Sequence, residues 1–173
     1  MKTIACLLIT VACLSLLAVN VKTEKHQNGQ LKSQTQFIKK AGSILKHGKW
    51  AEWFDNGRKK SEGTFKNGKR NGKFTDWYDN GQKRSQGPCK SDMRHGRWTE
   101  WHRNGQKACQ GAYNRCKRVG KWTFWYESGY KNKVGLYKAG EPDGKWQYFN
   151  EEGQLEREEV YKNGKVVQRK RIE

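Results

Sequence analysis

Residues 48–72 read GKWAEWFDNGRKKSEGTFKNGKRNG, and this stretch decides the fold. It opens with Gly48-Lys49-Trp50, places a second aromatic at Trp53, and turns at Asn56-Gly57. A second segment follows from Lys59 to Phe65, and Asn67-Gly68 marks a return turn. Trp, Phe and Thr suit strands. Asn-Gly tolerates the positive φ that a tight hairpin needs and is the strongest short-range hairpin signal. The spacing predicts one strand over 49–54, a second over 59–65, and a turn after each.

The same pattern returns along the chain, as expected of a repeat architecture. Gly-basic-aromatic recurs as Gly72-Lys73-Phe74, Gly96-Arg97-Trp98, Gly120-Lys121-Trp122 and Gly144-Lys145-Trp146, always 24 residues on. The second aromatic recurs as Trp77, Trp101, Trp125 and Phe149, and the turn glycine as Gly81, Gly105, Gly129 and Gly153. A further glycine recurs as Gly63, Gly87, Gly111 and Gly135, with Glu159 in the fifth copy. Then come Phe65, Cys89, Tyr113, Tyr137 and Tyr161. A degenerate earlier copy starts at Asn28-Gly29 and is four residues longer before Gly48. The prediction is an all-β fold, an elongated antiparallel β-hairpin array in meander order. Two strands per unit at ~4.8 Å give a sheet roughly 50 Å long for five units. The spacing of three between Trp50 and Trp53 does not fit strict alternation. It requires a twist, a bulge, or aromatics on both faces.

The composition fits a thin array. Only 34% of residues are hydrophobic and the mean hydropathy is −1.14, too little for a large central core. Yet 8 Trp, 7 Tyr and 6 Phe are more aromatics than a disordered chain carries. With 19 Gly against 2 Pro, the glycines fit tight turns between strands.

The expected organisation is a targeting segment over 1–21, a degenerate first repeat over 22–47, five repeats over 48–166 and a basic tail over 167–173. Lys2 precedes an apolar run from Ile4 to Val19, broken only by Thr10 and Ser15. That is the signal-peptide pattern, predicted as an apolar helical segment, with Ala18 the best small residue for cleavage. An uncleaved anchor is the alternative, since the run approaches the length that spans a bilayer. A lipoprotein with Cys13 as acceptor is a third. Each puts the repeats outside the cytoplasm: secreted, periplasmic or on the cell surface. Cys89, Cys109 and Cys116 remain in the repeats with no zinc spacing. A Cys89–Cys116 bridge or buried free thiols are the two expectations.

The 24-residue unit resembles the MORN-repeat variant of bacterial proteins, often described as antitoxin-like, over about residues 26–166. The resemblance implies a β-hairpin array serving as a binding or scaffold surface, with phospholipid membranes and protein assembly as precedents. An antitoxin role fits an exported chain poorly. The fifth copy, GKWQYFNEEG, also looks like the repeats of choline- or glucan-binding wall proteins.

The formal charge is +19, from 36 Lys and Arg against 17 Asp and Glu. Such a charge attracts anionic partners. The basic residues follow the repeat: Lys49, Lys73, Arg97, Lys121 and Lys145 after the first glycine, and Lys59, Lys83, Lys107 and Lys131 after the turn. These rows are the candidate anion- or partner-binding residues, although lysines also keep exposed sheet edges soluble. The aromatic ladder of Trp50, Trp53, Trp77, Trp98, Trp101, Trp122, Trp125 and Trp146 is expected to hold the hairpins together. Exposed members can stack on sugars or sit at a lipid interface.

No phosphate loop, HExxH motif or nucleophile elbow is present, so no enzyme, cofactor or metal is expected. Glu52, Asp76 and Glu100 share one repeat position and read as cross-strand partners for Lys or Arg. The expected function is docking on an anionic membrane surface, an acidic glycan or an acidic protein. A wall-glycan module and an assembly scaffold are the alternatives. Nucleic acid would be bound without specificity.

Overall fold

The computed structural model describes residues 19–172, and the apolar targeting segment therefore lies outside it up to Ala18. The described residues contain no helix and form one antiparallel sheet of fifteen strands. The first three are β1 (Asn20–Lys25), β2 (Leu31–Lys40) and β3 (Ser43–Trp53). Next come β4 (Lys59–Lys66), β5 (Lys69–Arg70), β6 (Gly72–Trp77), β7 (Lys83–Lys90), β8 (Met93–Arg94) and β9 (Gly96–Trp101). The last six are β10 (Lys107–Asn114), β11 (Lys117–Trp125), β12 (Lys131–Lys138), β13 (Glu141–Phe149), β14 (Leu155–Lys162) and β15 (Lys165–Arg171). Order in the sheet is order in the chain, with the two-residue strands β5 and β8 pairing β4 and β7. The meander is longer than five repeats require. Asn20 and Val21 already belong to β1, and most of the basic C-terminal segment forms β15. The first hairpin has the same plan as the others, and its four extra residues divide two and two between β2 and β3.

Two turn types alternate. At one edge of the sheet the turns Asn67-Gly68, Ser91-Asp92, Arg115-Cys116, Ala139-Gly140 and Asn163-Gly164 have positive φ at both residues, the type I′ geometry that matches strand twist. Each also donates a backbone N–H to the preceding unit, as from Cys116 to the Arg94 carbonyl at 2.9 Å. At the other edge the asparagines tie the units together. Asn56, Asn80 and Asn104 each donate through Nδ2 to a carbonyl in the next turn, at Asp79, Arg103 and Glu127.

The register explains the spacing of three. Each Gly-Lys-Trp stretch falls at a break in pairing with the preceding strand, and its glycine has positive φ, +80° at Gly48 and +66° at Gly120. Beyond it the strand alternates normally, so the two aromatics point to opposite faces. Trp50, Phe74, Trp98, Trp122 and Trp146 lie on one face, and Trp53, Trp77, Trp101 and Trp125 on the other.

The core is on the first face. Trp122, Trp146, Trp98 and Phe74 are buried, Trp122 completely. Each ring of the row from Phe74 on lies flat over a glycine of the preceding strand. A Cβ built on Gly87, Gly111 or Gly135 would stand 2.2–2.3 Å from the indole of Trp98, Trp122 or Trp146. Those indoles donate through Nε1 to the carbonyls of Pro88, Ala112 and Leu136 at 2.9–3.1 Å. Between them stand the strand-two aromatics, mostly edge-on: Tyr113 is 5.0 Å from Trp122 and Tyr137 is 5.1 Å from Trp146. Cys89 interrupts this series, filling the place between Phe74 and Trp98.

All three cysteines of the repeats are free. Cys116 Sγ accepts from the Arg94 N–H at 3.3 Å, and Arg94 pairs in turn with Cys89, so β8 stands between the two thiols and no bridge forms. Burial pushes the Cys89 thiol up, and burial with the adjacent Glu100 carboxylate pushes Cys109 up to about 12. A thiol so raised is unreactive near neutrality. Labelling of the native protein followed by peptide mapping should therefore modify Cys116 rapidly, and Cys89 and Cys109 only in denaturant. Equal native rates at the three sites would contradict this packing.

Candidate binding face

The second face carries both basic rows foreseen from the sequence. Alternation and register put Lys49, Lys73, Arg97, Lys121 and Lys145 beside the half-buried indoles of Trp53, Trp77, Trp101 and Trp125. Lys59, Lys83, Lys107 and Lys131 pair across from Trp53, Trp77, Trp101 and Trp125 on the adjoining strands. Eight of these nine basic residues are exposed and Lys59 is half-buried.

The indoles of this face hold lysines. Lys59 Nζ stands 5.7 Å from the centre of the Trp77 ring. Lys83 and Lys107 stand 5.8 Å from the Trp101 and Trp125 rings. Attraction to the negative ring face holds an ammonium within ~6 Å of the centre. One half of the tryptophan ladder thus binds the sheet together on the first face, and three of the four indoles on the second position cations.

Not every cation is free. Lys59 pairs with Glu62 at 2.8 Å and Lys145 with Glu158 at 2.7 Å. The Arg97 guanidinium donates to Gln110 at 2.7 Å. Polar rungs lie between the lysines: Gln86 donates to Thr75 at 3.0 Å and Gln110 to Thr99 at 2.8 Å. Around the first two repeats the face deepens into a groove of about 690 Å³, lined by Trp53, Trp77, Lys49, Lys73, Lys83 and Gln86 among others.

The first face has a basic row that was not singled out from the sequence. Lys46, Arg70, Arg94 and Arg118 recur every 24 residues, two before the repeat glycine, so the period itself was the available signal. They cover the core aromatics, Arg94 at 4.1 Å from the Trp98 ring and Arg118 at 4.6 Å from Trp122. Burial works against the Arg94 charge, but its 2.6 Å pair with Glu100 and its bond to Tyr113 outweigh it. Of the acidic row, Glu100 pairs with Arg94 at 2.6 Å, and Asp76 accepts from Ser61 and Ser85 at 2.6 and 2.7 Å and stands 4.0 Å from the Arg84 guanidinium. His102 bonds the Trp125 carbonyl at 2.9 Å, the role Tyr78 and Tyr126 play in neighbouring repeats. It is a structural residue.

The C-terminal end is closed by charge. Glu159, where the earlier repeats have glycine, is 3% exposed. It accepts from Arg169 and Tyr161 at 2.8 Å and from Arg157 at 3.3 Å. Burial raises this carboxyl, but the bonds from Tyr161, Tyr148, Arg169 and Arg157 outweigh it and hold it below the ordinary range. No three His, Cys, Asp or Glu residues converge as a metal site among the described residues.

A family model described as the MORN repeat variant matches residues 46–67, 70–90, 94–114 and 142–168, more than half of the chain. Residues 115–141, between the third and fourth matched segments, repeat the same hairpin with the same glycine-under-indole packing. No curated protein matches the chain.

Proposed function

The chain belongs to the MORN repeat variant family, and from that premise we propose an exported, non-catalytic binding protein that docks its lysine-bearing face on a polyanionic partner. The observation behind this is the gathering of two basic rows on one face, with three lysines held over indoles at the same place in successive repeats. Fixing a flexible side chain before contact lowers the entropy cost of binding. A formal charge of +19 adds long-range attraction. The apolar stretch from Ile4 to Val19 supports export, and a binding role suits a repeat family without catalytic chemistry.

The test is co-sedimentation of the purified protein with anionic vesicles, neutral vesicles and acidic polysaccharide, at low and high salt. Retention by at least one anionic partner and not by neutral vesicles is expected at low salt. It should be lost near 1 M salt, where the screening length falls to about 3 Å. Lys49→Glu with Lys73→Glu should weaken retention at least tenfold, each cation near an anionic surface being worth about 1 kcal/mol, with the circular dichroism spectrum unchanged. Retention by no anionic partner at low salt would overturn the proposal.

A further inference from the structure

We propose that the polyanion is an acidic linear polysaccharide, seated along the lysine face and entering the groove between Trp53 and Trp77. This rests on the polyanion reading above and names its chemical class. The shape of the site comes first. The face is recessed by about 690 Å³ over the first repeats. A recess admits a chain; a bilayer offers a plane, and its headgroups would meet only the rim.

The lining comes second. Gln86 lines the groove with Lys73 and Lys83, its amide braced by a 3.0 Å bond to the buried Thr75 hydroxyl. An amide both donates and accepts, which is what a sugar's neighbouring hydroxyls require. A polyphosphate offers acceptors only and leaves the Gln86 side-chain carbonyl without a partner, whereas a sugar hydroxyl can donate to it. An indole offers a flat, electron-rich surface to the C–H-bearing face of a sugar ring. Lys83 lines the groove and pairs across from Trp77, and unlike Lys59 with Glu62 it has no carboxylate partner among the described residues. A sugar packed beside the Trp77 ring therefore brings its carboxylate or sulfate next to a free ammonium.

The repeat comes third. The Thr–Gln rung of Thr75 and Gln86 recurs as Thr99 and Gln110. The lysine–indole pair recurs at Trp77, Trp101 and Trp125. One unit advances two strands, roughly 10 Å, about the length of an extended disaccharide. Successive disaccharides of one chain therefore meet equivalent subsites, and each added disaccharide binds at the effective concentration set by its neighbour.

The experiment is titration calorimetry of the purified protein with size-graded oligogalacturonates, neutral cello-oligosaccharides of the same lengths, and inorganic polyphosphate of matched charge. The oligogalacturonates should bind at least tenfold tighter from disaccharide to octasaccharide, and the neutral series should bind at least tenfold more weakly at each length. Gln86→Ala with Gln110→Ala should weaken the oligogalacturonate about tenfold and leave polyphosphate unchanged. Equal binding of polyphosphate and oligogalacturonate, with equal response to the glutamine variants, would overturn the glycan assignment and leave polyanion docking intact. Equal binding of the neutral series would also overturn it. Binding of neither acidic probe at low salt, together with none to anionic vesicles, would bring down both proposals.

Discussion

Replacing Gly111 with alanine is expected to cost about 3 kcal/mol or more, the upper end of the range for overpacking a filled site. The added methyl would stand 2.2 Å from Trp122 Cδ2. The ring has nowhere to go: it is fully buried, its Nε1 is committed to the Ala112 carbonyl, and Tyr113 and Tyr137 stand edge-on to it. Gly144→Ala is the control. Its φ is +69° with no atom within 4 Å of the built Cβ, so it should show only the ~1–2 kcal/mol left-handed backbone cost. Urea unfolding of both variants separates clash from backbone strain. Trp122→Ala alone should cost ~3–5 kcal/mol, and in that background Gly111→Ala should cost little. Such a coupling is the mark of two groups in direct contact. Additive losses would mean that the glycine is not there to make room for the ring.

Glu159→Ala is expected to cost about 2 kcal/mol, less than the 3–5 kcal/mol of a fully buried broken ion pair because its partners are partly exposed. Arg169 is the most open of them and keeps much of its hydration; Arg157 and Tyr161 lose more. The loss should show as early hydrogen exchange in β14 and β15, with the middle of the sheet unchanged. The pH dependence has a definite sign. Because the folded carboxyl is held below its ordinary value, its contribution is complete above the unfolded pKa of about 4.3. It disappears as pH falls through the lower folded value. Glu159→Gln should flatten that acid limb. An unaltered acid limb would show that the carboxylate contributes nothing to closing the sheet.

The hairpin order was legible in the sequence because turn chemistry and a strict 24-residue period specify pairing between neighbours. The partition of the aromatics was not. Trp50 and Trp53 look alike in a sequence, and only the positive-φ glycine with its break in pairing sends one toward the core aromatics and the other to the lysine-bearing face. The basic rows were legible as rows, but their pairing depended on one position per repeat. Glu62 and Glu158 neutralise Lys59 and Lys145, where Gln86 and Gln110 stand in the two repeats that follow Glu62. The row of Lys46, Arg70, Arg94 and Arg118 was periodic too. Its place over the core rings depends on which face each residue takes. Cys89 and Cys116 sit in successive repeats, and the strand between them becomes visible only once the register is known.

That the order of strands in the sheet follows the chain, without crossovers, has a mechanical consequence. The first and last strands are the two borders of the sheet, so tension between the chain ends acts across the strands and parts hydrogen bonds a few at a time. The sheet peels from its borders inward, each 24-residue unit releasing roughly 80 Å of contour length, while the remaining units keep their own packing. Tethered at one end and loaded at the other, the molecule behaves as an extensible strap that yields in equal increments at low force.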